Sequence, residues 1–171
     1  MGVKARTPLE KYLSLPEKYS AELIGGEIVM TPSPSSRHQR ISLKLASSMM
    51  NFCVEHELGE IFIELDVHLD DDNVIRPDIL YVSDESKVKE NWIEGAPDVV
   101  VEILSPATKQ RDMTIKRDLY ERFGVKEYWV VDPESEEIIV FCNEGGRFKI
   151  ACRGKECESR VLKGFKWGFE G

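Results

Sequence analysis

At 171 residues the chain is long enough to bury one core, and its 42% hydrophobic and 32% charged composition excludes a disordered or low-complexity polypeptide. No run approaches the roughly 18 consecutive apolar residues of a membrane span, and MGVKARTPLEKYLSLP lacks the apolar core of a signal peptide, so a cytoplasmic protein with one domain over 1–171 is expected. The net charge of -8 excludes coating of nucleic acid by bulk electrostatics, yet suits a protein whose acids hold cations that then face a phosphate.

Pro8 to Leu15 predicts a short helix, started by Pro8 and stopped at Pro16. AELI and EIVM flank Gly25-Gly26, a hairpin signal whose turn calls for positive φ angles. After the loop TPSPSS, the spacing of Ile41, Leu45, Met49, Phe52 and Val54 predicts a long helix over 36–57, with Gly59 as its stop. Residues 61–69 alternate cleanly and read as one strand, with Ile61, Ile63, Leu65, Val67 and Leu69 on one face. The polar turn Asp70-Asp71-Asp72-Asn73 then leads into an antiparallel second strand, 74–82. Residues 98–104 form an apolar run interrupted by one acid, the pattern of a central strand buried on both faces.

One helix over 108–123, ended by Gly124, is followed by the strands EYWVVD, EIIVFC, RFKIAC and VLKGFKW. The order implies a mixed α/β fold, a central mixed β-sheet flanked by helices. The four cysteines form no Cys-x-x-Cys pair and have no histidine at zinc-finger spacing, which argues against structural zinc.

Charged residues stand where this pattern demands apolar ones. Asp78 shares a strand face with Leu80 and Val82, and Glu102 shares one with Val100 and Leu104. A buried unpaired carboxylate costs several kcal/mol, so each must be protonated, ion-paired, metal-bound or able to reach water. On the helix that follows, Asp112 and Lys116 fall inside the arc of Met113, Ile115, Leu119, Tyr120 and Phe123. They lie one turn apart, so a salt bridge at the edge of the core is one reading. The other is a reaction centre in which Asp78 and Glu102 coordinate one or two Mg²⁺ ions while Lys116 orients the attacking water or offsets transition-state charge.

Arg76-Pro77-Asp78, with Val101-Glu102-Ile103 further on, resembles the PD-(D/E)XK nuclease pattern. More closely, ELIGGEIVM, SPSSRHQR, RPDILYV, PDVVVEILSP, D-x-x-x-K-x-x-x-Y and GVKEYWVVDP resemble the restriction-endonuclease family known as Uma-two, over about 19–141. The resemblance implies a restriction-endonuclease-like core and a Mg²⁺ or Mn²⁺ site formed by Asp78, Glu102 and the Ile103 carbonyl. The usual lysine position, two residues after the acid, is Leu104, so the catalytic amine would come from Lys116. Glu27, in GGEI, resembles an additional N-terminal acid of the site, although a hairpin surface acid is the alternative. His38 matches a family position near the site, where a structural contact at the helix start is favoured, and Tyr120 is expected to pack rather than react.

Other acids are read as structural. Asp98 lies about 13 Å along the strand from Glu102, too far to share a metal, and is expected to pair at the strand start. The Asp70–Asp72 run is a solvated turn that lacks the glycine and distal glutamate of a calcium loop. Asp132 closes a buried strand. The implied activity is phosphodiester hydrolysis, most simply in DNA, by a monomer or homodimer; the alternative is an inactive nucleic-acid-binding accessory module that keeps the fold. Arg37, Arg40, Lys44, Lys109 and Arg111 are either phosphate contacts or ordinary solvated charge.

Overall fold

The computed structural model describes residues 4–170. The elements run α1 (Pro8–Leu13), β1 (Ala21–Ile24), β2 (Glu27–Met30), α2 (Ser36–Glu55), β3 (Glu60–Ile63), β4 (Asp66–Asp70), β5 (Asn73–Ile75), β6 (Ile79–Val82), β7 (Trp92–Glu94) and β8 (Val99–Ile103). There follow α3 (Lys109–Met113), α4 (Ile115–Arg122), β9 (Glu127–Asp132), β10 (Glu137–Glu144), β11 (Arg147–Gly154), β12 (Glu156–Glu158) and β13 (Lys166–Gly168). The fold is mixed α/β, and the described residues include no helix long and apolar enough to cross a membrane.

The strands form two large mixed sheets. A six-stranded sheet has the order β11-β10-β9-β8-β6-β3, and a five-stranded sheet has the order β2-β1-β5-β4-β7. Each contains a single parallel pair, β8 with β9 and β4 with β7. The two sheets arise because both predicted long strands break. The first divides at Glu64-Leu65, where Glu64 adopts a left-handed φ of 49°. The second divides over 76–78, so that β3 pairs with β6 in one sheet and β4 with β5 in the other. Hydrophobic alternation continues through the first break, so the sequence pattern does not reveal it, whereas the second falls at Arg76-Pro77-Asp78, where Pro77 has no N–H to give a ladder.

Alternation along the six-stranded sheet sorts its side chains into two cores. Ile79, Tyr81, Val99, Val101, Ile103, Trp129 and Val131 face α2 through Leu45, Met49 and Cys53. Leu80, Val82, Val100, Leu104, Tyr128 and Val130 face the other way, toward Val67 and Ile75 of the second sheet and Tyr120 of α4. A third cluster seats Tyr12 of α1 against Leu23 and Val74.

The helices depart from their predicted ends for local reasons. The α2 helix starts at a Ser35 cap and stops at Glu55, with His56 as its C-cap and Glu57 at a φ of 53°. Gly59 therefore does not end it. Gly59 lies against β6, where a Cβ would meet the Val82 carbonyl oxygen at 2.2 Å. The predicted helix over 108–123 is two, broken at Thr114 (φ -125°, ψ -81°), whose hydroxyl donates to the Gln110 carbonyl in competition with the helical ladder.

The C-terminal segment forms a strand only over Lys166–Gly168. Cys152 and Cys157 are joined in a disulfide across the β11–β12 connection, a pairing their spacing did not suggest. The segment is held down by Glu127, a fully buried carboxylate on β9. It accepts from the Trp129 indole (2.7 Å), the Ser159 hydroxyl (2.6 Å) and the backbone N–H groups of Arg160 (2.8 Å) and Val161 (3.2 Å). Glu127→Ala leaves these donors unpaired and is expected to lower stability by about 3 kcal/mol. That loss reads as a fall in melting temperature of roughly 6–12 °C, and an unchanged melting curve would show that the latch carries no load.

Candidate active site

A cleft of about 660 Å³ opens where the two sheets part. Its walls include Glu22 from β1, His38 from α2, Glu64 and Asp78 from the strand breaks, Glu102 from β8 and Lys116 from α4. The register of β6 on β8 pairs Ile79 with Val101, so Asp78 lies one step beyond the ladder, beside Glu102. Glu102 shares its sheet face with Val100 and Leu104, and α4 covers that face.

Lys116 is the centre of the cluster. Its ammonium is 2.5 Å from Glu102 Oε1, 3.0 Å from Glu22 Oε1 and 3.8 Å from Asp112 Oδ1, and all four side chains are almost wholly buried. Burial by itself would strip the proton from Lys116, but the charges of Glu102, Glu22 and Asp112 outweigh it and hold the lysine well above its ordinary range. The surrounding carboxylates therefore favour the ammonium form of Lys116. Burial pushes the Glu102 carboxyl up; Lys116 pulls it back, while Asp112, Asp78 and Glu22 push it further. Tyr120, raised chiefly by burial and then by the Glu102 charge, stays protonated and donates to Glu102 Oε1 at 2.6 Å.

Asp78 is held differently. Its Oδ2 accepts from the Ile103 N–H at 2.7 Å and lies 3.2 Å from His38 Nε2. That contact raises the His38 pKa against the burial that lowers it, with the Asp78 and Glu64 charges and the Ile103 backbone adding to the rise. His38 Nδ1 is buried with no hydrogen-bond partner. Among the described residues, every protein donor to Glu102 reaches Oε1 and every donor to Asp78 reaches Oδ2, so each carboxylate keeps a second oxygen that no protein donor uses.

The structure thus gathers Asp78, Glu102, Ile103 and Lys116 around one cleft, together with His38 and Asp112, while Tyr120 is buried behind Glu102. It does not bring Glu27 there. Glu27 is exposed on β2, opposite Ile24 in the hairpin register. The acid supplied by that hairpin is Glu22, 2% exposed, which also accepts the Arg76 N–H at 2.8 Å. The signal for Glu22 was an acid inside AELI, a strand too short for alternation to mark its faces. Arg76 reaches away to Asp66 at 2.7 Å. Asp98 accepts from Ser83 N–H and pairs with Lys126 at 2.9 Å, the expected role at a strand start.

The same geometry gives a stability prediction. Lys116→Met leaves Glu22 and Glu102 buried without their counter-charge and is expected to cost about 3–5 kcal/mol at pH 7. The Glu102 carboxyl is raised on folding, so its penalty is absent below the unfolded value of about 4.3 and grows as pH rises through the folded one. The gap between variant and wild type in urea midpoint should therefore shrink from pH 7 to pH 5; a gap that is constant or widens contradicts this account of the cluster.

Among the described residues no three His, Cys, Asp or Glu side chains are arranged as a ready-made metal-binding group. No curated protein matches the chain. Among solved structures, a protein described as a "putative nuclease belonging to DUF820" from Anabaena variabilis is similar, with a TM-score of 0.71 and 27% identity over 85% of this chain and 84% of that one. The model of the Uma2 family, described as "Putative restriction endonuclease", matches residues 9–166, and the chain belongs to that family.

Proposed function

We propose that the protein is a Mg²⁺- or Mn²⁺-dependent nuclease that hydrolyses phosphodiester bonds in DNA. The observation that carries this reading is the meeting of Asp78 and Glu102 in the cleft, each with one carboxylate oxygen engaged by protein donors and the other free. The unused oxygens of Asp78 and Glu102 are hard donors of the kind Mg²⁺ takes.

Asp78, Glu102 and the Ile103 carbonyl would hold the ion. When bound, it would supply a water of lowered pKa and positive charge facing the phosphate. Lys116 remains an ammonium, so it serves as a fixed donor that orients water and offsets developing negative charge, not as a base. Tyr120 holds the Glu102 carboxylate in one orientation, and the Ile103 N–H does the same for Asp78. Of the five basic residues considered for phosphate contact, Arg111 lines the cleft, whereas Arg37 and Lys109 line a smaller one beside it. Lys109 is paired there with Asp132 at 3.3 Å, and Arg37 donates to the Pro133 carbonyl. Arg40 and Lys44 line neither cleft.

Supercoiled plasmid should be nicked or linearised with Mg²⁺ or Mn²⁺ and left intact with EDTA. Asp78→Ala, Glu102→Ala and Lys116→Ala should each lose roughly 100-fold or more in cleavage rate, with folding checked by circular dichroism. Equal cleavage by wild type and these variants sinks the assignment. DNA retention without cleavage under any metal would instead support the accessory-module reading.

A further inference from the structure

The α2 helix carries apolar side chains on two faces. Leu45, Met49 and Cys53 fill the core, as an amphipathic helix requires. On the opposite side Leu43, Met50 and Val54 are 68%, 51% and 73% exposed, with exposed Ser47 between them and Leu58, 43% exposed, just beyond the helix. Exposed Arg40 precedes this stripe, so within the helix the line Arg40, Leu43, Ser47, Met50, Val54 advances by alternating steps of three and four residues, and exposed Glu57 lies just past the helix end. That spacing keeps a single seam on a helix facing a second helix.

We propose that this face docks on the same face of a second copy of the chain, with the two α2 helices antiparallel. The occupant is set by charge complementarity. Arg37, Arg40 and Lys44 occupy the N-terminal half and no acid appears before Glu55, while Glu55, Glu57 and Glu60 cluster at the C-terminal end. This distribution opposes the helix macrodipole at both ends, so within one copy the charges are placed unfavourably. An antiparallel second copy reverses that: each basic end lies beside an acidic end, and the two dipoles run in opposite senses.

The registry is self-complementary about a two-fold axis between Ser48 and Met49. It sets Leu43 against the other copy's position 54 and Ser47 against position 50, and brings Arg40 near position 57, just past the end of the other helix. Small Ser47 makes room for Met50, the two outer apolar residues meet, and the ends close with opposite charges. Within the helix, from Arg40 to Val54, the seam is about 21 Å long, a short contact from which weak, concentration-dependent association is expected.

Sedimentation velocity of the full chain from about 1 to 200 µM tests the pairing. The proposal expects a monomer–dimer equilibrium for wild type, and monomer throughout for Leu43→Lys/Val54→Lys, which should fold normally because both side chains are exposed. Arg40→Glu and Glu57→Arg should each weaken association at least tenfold, and the double reversal should restore it to within about threefold. In an oxidised sample Leu43→Cys/Val54→Cys should form a cross-linked dimer, whereas Leu43→Cys alone should not.

A wild type that stays monomeric throughout overturns the proposal. So does a dimer indifferent to the charge reversals, or cross-linking by Leu43→Cys alone, which would mean another surface or parallel helices. If Arg40→Glu instead abolishes retention of an oligonucleotide by a monomeric wild type, the face belongs to nucleic acid and the pairing fails.

Discussion

The ammonium of Lys116, buried among carboxylates, is the interaction on which the rest of the molecule depends. Glu102 stands on the six-stranded sheet and Glu22 on the five-stranded one, and both reach the same nitrogen. Neither acid could be buried without it, because an isolated ionised carboxylate in a dry interior is destabilising by several kcal/mol. The ion cluster therefore fixes how α4 sits over β8 and how β1 is held against that corner. Tyr120 and Tyr128 extend it: one donates to Glu102, the other to the Asp112 carbonyl at 2.9 Å, and their rings pack 4.9 Å apart.

The cleft exists because two strands leave one sheet for the other at the same level. Such a crossing interrupts ladder hydrogen bonds and exposes backbone donors that must be satisfied. The candidate site satisfies them: Arg76 N–H is taken by Glu22, and Ile103 N–H by Asp78. The Glu64 N–H reaches the Asp78 carbonyl at 3.3 Å from a left-handed backbone that a glutamate adopts only at a cost. The acids available for chemistry are thus also the acceptors that stabilise the crossing. Irregular backbone and polar chemistry coincide here for one physical reason.

Much of this was legible in the sequence. The β1–β2 hairpin, the buried strand β8 and the placement of Glu102 beside Val100 and Leu104 follow from periodicity, and Asp112 and Lys116 stood out as charges inside an apolar arc. What alternation could not show was where a strand changes sheets, since Ile63, Leu65 and Val67 keep their period across a break made by one left-handed residue. It also could not choose between the two acids of the first hairpin. Glu27 stands in the more recognisable motif, but Glu22 is buried because its strand is interior to the sheet, between β2 and β5. Position within a sheet is a long-range property that four residues do not encode.

The α2 helix connects the site to the outer surface. Near its N-terminal end His38 faces Asp78, its inner face is built into the core, and its outer face carries the apolar seam. A helix is stiff over this length, so whatever fixes the seam also fixes His38. In the antiparallel pairing proposed for this face, the two His38 residues are about 30 Å apart along the helix axis and are related by a two-fold rotation. The strands of a DNA duplex are antiparallel and related by two-fold axes of the same kind. Under the proposed reading of the protein as a DNA nuclease, two equivalent clefts would address opposite strands in equivalent orientations, which a single cleft can do only by releasing the duplex and rebinding it.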